Sequence, residues 1–155
     1  MKKLKLYIET SVWNFLFADD APDKKTVTIR FFEEIKKGDY ELFISEMVIE
    51  EIDDAPEPLK SKLLRTIAEV EPEKLEVTEE IRRLASKYAE SHIVPSKAYR
   101  DLVHLAAATI NNMDFLVSWN LAHIVKIKTK VEINTVNAIE GYRSIQICTA
   151  QEVIS

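Results

Sequence analysis

Four short stretches of this chain set carboxylates or small polar groups beside apolar runs. Leu4-Lys5-Leu6-Tyr7-Ile8 leads into Glu9-Thr10-Ser11, and Leu42-Phe43-Ile44 leads through Ser45 into a stretch carrying Glu50 and Glu51. Asp101 falls about one turn into the segment after Pro95, and Phe115-Leu116-Val117 runs into Ser118-Trp119-Asn120. Oxygen donors of this kind suit hard divalent cations such as Mg²⁺, which take a few carboxylates and complete their shell with water. A cation so held polarises a phosphoryl oxygen, orients an attacking water and lowers that water's pKa. The chemistry these residues suit is hydrolysis with no covalent enzyme intermediate.

Other chemistries lack their parts. The only glycines are Gly38 and Gly141, so no Gly-rich loop exists to cradle phosphates, which removes Walker-type NTPases and dinucleotide-binding Rossmann enzymes. Cys148 stands alone, which rules out an internal disulfide and a multi-cysteine zinc site. His92, His104 and His123 lie far apart and form no HExxH pair. The net charge is −5, against a sequence-independent nucleic-acid coat that lives on many phosphate contacts. A local basic patch beside an acidic pocket is compatible with it. No apolar run approaches the roughly 20 residues of a membrane span, and Met1-Lys2-Lys3-Leu4 enters a strand-like segment without a signal-peptide core. The expectation is a cytoplasmic protein that makes no membrane contact.

These residues must be positioned by regular elements. The length of 155 residues, 46% hydrophobic and 30% charged, suits one domain, 1–155. Leu4–Ile8 alternates with period two, as a strand does, and Leu42–Ile44 reads as a second strand before a helix from Glu46 to about Asp54. Val27, Phe31 and Ile35 recur at helical spacing, with Gly38 where a helix C-cap is expected. Leu59, Leu63, Ile67 and Val70 form another helical stripe beyond Pro56 and Pro58. Leu75–Val77 reads as a short strand, and Thr78-Glu79-Glu80 opens a helix that buries Ile81, Leu84, Ala85 and Tyr88. Ala98, Leu102, Leu105, Ala106 and Thr109 mark the core side of the next helix. Phe115–Val117 has the all-apolar character of a strand buried on both faces. A last helix before Gly141 precedes a strand over Ser144–Cys148. Strands alternating with helices predict an α/β fold, a three-layer α/β/α sandwich with a mainly parallel sheet. In such sheets ligands bind beyond the carboxyl ends of the strands, where the polar residues above lie.

Four blocks of the chain resemble PIN-domain proteins. Tyr7-Ile8-Glu9-Thr10-Ser11-Val12 is similar to the family's opening strand and turn. Ser45-Glu46-Met47-Val48-Ile49-Glu50-Glu51-Ile52 resembles its second block, a Ser six residues before an acid followed by an aliphatic. Asp101-Leu102-Val103-His104-Leu105-Ala106-Ala107-Ala108 resembles its third, an Asp leading an Ala-rich helix. Phe115-Leu116-Val117-Ser118-Trp119-Asn120 resembles its fourth, an apolar strand ending in Ser or Thr, any residue and an acid. The blocks occur in order across residues 7–120. PIN domains of this size resemble the toxins of toxin–antitoxin pairs (VapC-like proteins), which are metal-dependent endoribonucleases. The resemblance implies Glu9, Glu51 and Asp101 as ligands of Mg²⁺ or Mn²⁺, with Asn120 as a fourth catalytic position. It also implies an RNA substrate, an antitoxin partner and a homodimer. Glu9 stands where the family usually has Asp, and Asn120 stands where many members have a fourth Asp. Three acids hold one ion; the neutral Asn120 adds no charge for a second.

Each residue also has a plainer reading. Glu9 can open a helix, since acids favour its positive end. Glu50, adjacent to Glu51, points elsewhere on the helix and suits a solvated face. His104 either serves metal or phosphate, one turn from Asp101, or packs as a hydrogen-bonded core histidine. Asn120 either ligates or caps the following turn. Trp119 either stacks on a base or packs, and His123 reads as structural. Thr10 and Ser11 can hydrogen-bond to ligands or phosphate. Lys97, Arg100, Lys126, Lys128 and Lys130 either line an RNA backbone or form a solvated basic edge. Trp13, Phe15, Leu16 and Phe17 read as core, part of it available to a second copy or an antitoxin. The expected function is a Mg²⁺- or Mn²⁺-dependent endoribonuclease of toxin type, with a PIN-like binding scaffold as the alternative. A receiver-type signalling domain would need paired acids after the first strand, where Glu9-Thr10-Ser11 stands instead.

Overall fold

A computed structural model describes residues 2–92 and 94–155. Five strands, β1 (Leu4–Ile8), β2 (Tyr40–Ser45), β3 (Glu73–Leu75), β4 (Phe115–Val117) and β5 (Gln146–Cys148), form one sheet in the order β3-β2-β1-β4-β5. Every pairing is parallel, with Leu6 opposite Leu42 on one side of β1 and opposite Phe115 on the other. Parallel neighbours need crossover helices, and these are α1 (Thr10–Phe15), α2 (Pro22–Ile35), α3 (Glu46–Asp53), α4 (Leu59–Val70), α5 (Glu79–Glu90), α6 (Tyr99–Ile110) and α7 (Ile127–Glu140), with α8 (Ala150–Ile154) closing the chain. Most helix contacts fall within two sets, α1 to α4 with α8 and α5 to α7, and α3 also meets α6. The right-handed crossover rule puts those sets on opposite faces of the sheet. The α/β/α sandwich predicted from the alternating pattern is the architecture observed.

The core follows the same pattern. Leu6, Tyr7 and Ile8 of β1 and Leu116 and Val117 of β4 are buried, as central strands covered on both faces must be. Ile81, Leu84, Ala85 and Tyr88 of α5 pack against α6, whose Ala106, Ala107 and Ala108 allow close helix approach. Gly141 takes φ +86 at the end of α7, a left-handed C-cap that glycine adopts without a Cβ penalty. One buried polar network crosses this layer. The Tyr88 hydroxyl donates to Asn137 Oδ1 at 2.5 Å and meets Thr109 Oγ1 at 3.0 Å.

Some boundaries differ from the sequence reading. The third strand lies at Glu73–Leu75, two residues before the expected Leu75–Val77, and β5 is shorter than Ser144–Cys148. Both strands lie at sheet edges, where a half-exposed segment carries little apolar pattern. Gly38 lies two residues past the α2 C-cap, Lys36, at φ +90 in the turn to β2. At the β5 edge, Asn134 of α7 donates to the Ile145 carbonyl at 2.9 Å and accepts the Ile145 N–H at 2.9 Å. Among the described residues, no helix is long and apolar enough to cross a membrane.

Candidate metal centre

The sheet order reverses at β1, where the chain leaves toward β2 on one side and returns to β4 on the other. The carboxyl end of such a reversal is the usual ligand crevice of an open α/β sheet. Glu9 sits in it, one residue beyond β1, with its backbone N–H bonded to the Val117 carbonyl at 3.0 Å. It is the N-cap of α1: its side chain accepts the Ser11 N–H at 3.1 Å. Glu9 Oε1 also accepts the hydroxyls of Ser11 at 2.5 Å and Ser118 at 2.6 Å. Helix capping and a place in the crevice thus fall to one side chain, which is 4% exposed.

Glu51 reaches the same crevice from α3, whose start is fixed by Ser45 accepting the Met47 N–H at 3.2 Å. Its Oε1 accepts Thr10 Oγ1 at 2.6 Å and lies 2.5 Å from His104 Nε2. His104, on α6, is fully buried, and its Nδ1 lies 2.6 Å from the Tyr7 hydroxyl, which in turn meets Ser45 Oγ at 2.8 Å. Burial alone would lower the His104 pKa, but the bond to Glu51 and the charges of Glu9, Glu51 and Asp101 raise it above the ordinary 6.5. Burial likewise opposes the Glu51 charge, yet His104, Thr10 and Arg100 hold its pKa below the ordinary 4.5. Tyr7 stays a neutral phenol, its pKa raised mainly by burial.

Asp101 lies in the first turn of α6. Its Oδ2 is 3.1 Å from His123 Nδ1 and accepts the Asn120 side-chain N–H at 3.3 Å. Its pKa is raised, first by burial and then by the Glu9 charge, against the pull of His104 and His123. Glu9 and Glu51 thus share the crevice with the buried His104, while Asp101 stands outside that close group and feels the Glu9 charge.

Ligand atoms of Glu9, Glu51 and His104 lie within 4.8 Å of one another, a spacing that suits a metal ion. Both His104 nitrogens are already engaged, by Tyr7 and by Glu51. The ring therefore acts as the brace of Glu51 rather than as a donor with a free lone pair. The carboxylates differ. Among the described residues no hydrogen bond reaches Glu51 Oε2 or Asp101 Oδ1, while Glu9 Oε2 takes one backbone N–H. Each acid is clamped mainly through one oxygen and keeps capacity on the other. That donor set fits a hard divalent cation.

The remaining expected residues divide. Thr10 and Ser11 bond to Glu51 and Glu9. Arg100 is bound to Asp54 Oδ2 at 2.7 Å and lies 3.7 Å from Glu50 Oε1, so its charge faces α3. Lys126 is the N-cap residue of α7, and Lys128 and Lys130 lie on its first turns. Trp119 packs: its Nε1 donates to Thr28 Oγ1 at 2.8 Å, and its ring lies 6.0 Å from Phe15. Trp13 is buried, and Phe15, Leu16 and Phe17 are partly buried against the core. Three residues outside the expected set complete the centre: Tyr7, Ser118 and His123. Ser118 was visible as the Ser of the fourth block and His123 was read as structural; Tyr7 was visible only as part of the opening strand.

No protein-family model matches the chain, and no curated protein matches it by sequence. Solved structures do. The fold is similar to a chain of VapBC2 from Rickettsia felis bound to a DNA fragment from its promoter, with a TM-score of 0.59, 12% identity, and 94% of this chain and 98% of that chain covered. It is also similar to a chain of DNA-bound VapBC from Salmonella typhimurium, with a TM-score of 0.57, 14% identity, and 95% and 98% coverage. The architecture is a PIN-like α/β fold over nearly its whole length.

Proposed function

We propose that this chain is a Mg²⁺- or Mn²⁺-dependent endoribonuclease that hydrolyses RNA phosphodiester bonds, the toxin of a toxin–antitoxin pair in the PIN-domain family. The observation that carries the reading is the close pair Glu9 and Glu51 at the β1 crevice, with Asp101 coupled to Glu9 by charge and each acid keeping carboxylate capacity beside the hydrogen bonds that fix it. The likeness of the fold to VapBC chains, which belong to toxin–antitoxin complexes, supports the toxin role and an antitoxin partner. A cytoplasmic homodimer goes with that role.

Glu9, Glu51 and Asp101 would hold the ion. When bound, it would polarise the scissile phosphoryl oxygen and lower the pKa of an attacking water. The protein's own part is orientation. Ser11 and Ser118 fix Glu9, Thr10 and His104 fix Glu51, and both braces lie in a crevice from which bulk water is largely excluded. Lys126 and Lys128, at the start of α7 a few residues beyond Asn120, would supply positive charge for an RNA backbone. Arg100 would have to leave Asp54 to do the same.

The test is cleavage of single-stranded RNA with Mg²⁺ or Mn²⁺, parent against Asp101→Asn. Loss of cleavage in the variant is the expected result; equal cleavage by both rejects the site. A second reading, a PIN-like binding scaffold without turnover, draws on Glu9 serving as a helix cap. Calorimetry separates the two, because a scaffold would take up no metal at submillimolar concentration.

A further inference from the structure

We propose that Asn120 is a positioning residue for Asp101 and not a ligand of the cation. The inference rests on the metal-dependent reading above. The orientation of the Asn120 amide follows from its neighbours. The backbone N–H of His123 can only donate, so the Asn120 atom 3.0 Å from it is the amide oxygen. The amide nitrogen is left to donate to Asp101 Oδ2 at 3.3 Å. His123 Nδ1 lies 3.1 Å from that same oxygen, so Oδ2 is held from two sides and Oδ1 is the atom left for an ion.

The amide thus turns its oxygen toward the His123 N–H and its nitrogen, which cannot ligate a cation, toward Asp101. The Asn120 backbone carbonyl closes the turn that follows by accepting the N–H groups of Ile124 at 3.0 Å and Val125 at 2.9 Å. Asn120 also reaches a second acid. Its backbone N–H donates to Ser118 Oγ at 2.9 Å, and the Ser118 hydroxyl donates to Glu9 Oε1 at 2.6 Å. One residue therefore ties together the orientations of Asp101 on α6 and Glu9 beyond β1. An amide is the side chain for this task, because it accepts from His123 and donates to Asp101 in one planar group. A carboxylate has no donor to offer.

Calorimetric titration of the full chain with Mn²⁺, beside metal-free melting curves, tests the proposal. In Asn120→Asp the His123 cap survives, but an oxygen faces Asp101 Oδ2 where a donor stood. Mn²⁺ affinity is expected to fall by about ten-fold or more, as it does when a hydrogen bond orienting a ligand is lost, with little change in metal-free melting temperature. Equal or tighter binding by Asn120→Asp overturns the proposal and leaves the nuclease reading standing. No Mn²⁺ binding by the parent overturns both. Should Asn120→Asp fail to fold, His123→Ala decides: weaker Mn²⁺ binding supports the clamp on Oδ2, and unchanged binding overturns it.

Discussion

His104 Nε2 lies 2.5 Å from Glu51 Oε1, and the histidine has no exposed surface. A raised histidine pKa stabilises the fold fully below the unfolded value, here 6.5, and that contribution is lost as pH rises through the folded value above it. A lowered carboxyl pKa acts in the other direction: its contribution is present above 4.5 and is lost as pH falls through the folded value below it. The pair therefore contributes most between those two ordinary values. In chelator, the melting temperature of the parent should exceed that of His104→Gln by more near pH 6 than near pH 9. An offset that is the same at both would show that the pair is not charged.

Ser118→Ala removes the hydroxyl that serves both Glu9 Oε1 and the Asn120 N–H. Ser118 has no exposed surface, so water cannot take its place easily. Loss of one buried hydrogen-bonding partner costs about 1–3 kcal/mol. Urea unfolding of the metal-free protein should show a loss in that range, and Mn²⁺ affinity should drop in parallel. No change in either would mean that Glu9 is held without Ser118.

Trp119→Phe keeps the ring packing near Phe15 and gives up the bond to Thr28. Thr28 keeps its own bond to the Lys24 carbonyl, so the cost should be modest, about 1 kcal/mol. Because the ring belongs to the core, RNA affinity by fluorescence anisotropy should match the parent's. A selective loss of RNA affinity with unchanged stability would restore a base-stacking role.

Burial pushes the Cys148 thiol up to about 12. At neutral pH almost no thiolate is present, and the side chain is 5% exposed. A chromogenic disulfide reagent near pH 8 should therefore leave the native protein unlabelled for as long as it stays folded, and label it on addition of urea. Rapid labelling without denaturant would contradict the burial of β5.

The elements with a strong period were readable from sequence. Leu4–Ile8, Leu42–Ile44, the α5 face led by Ile81 and Leu84, and the Ala-rich α6 all bury one side or both, so packing wrote itself into spacing. The edge strand β3 exposes two of its three residues and left no such trace. At the centre, Glu9, Glu51 and Asp101 could be singled out because they fall at acidic positions of ordered blocks that resemble those of PIN-domain proteins. Their braces could not. Glu51 with His104 and Ser118 with Glu9 are pairings across the fold, and no local pattern announces which histidine or serine will meet which acid.

The contact between Asn134 and Ile145 reaches past its own helix. An open sheet margin offers unpaired peptide groups to any passing chain, and that is how ribbons grow from one molecule to the next. Here a side-chain amide occupies both peptide groups of Ile145, just before a strand only three residues long. A stranger arriving at that border finds the peptide groups of Ile145 already taken.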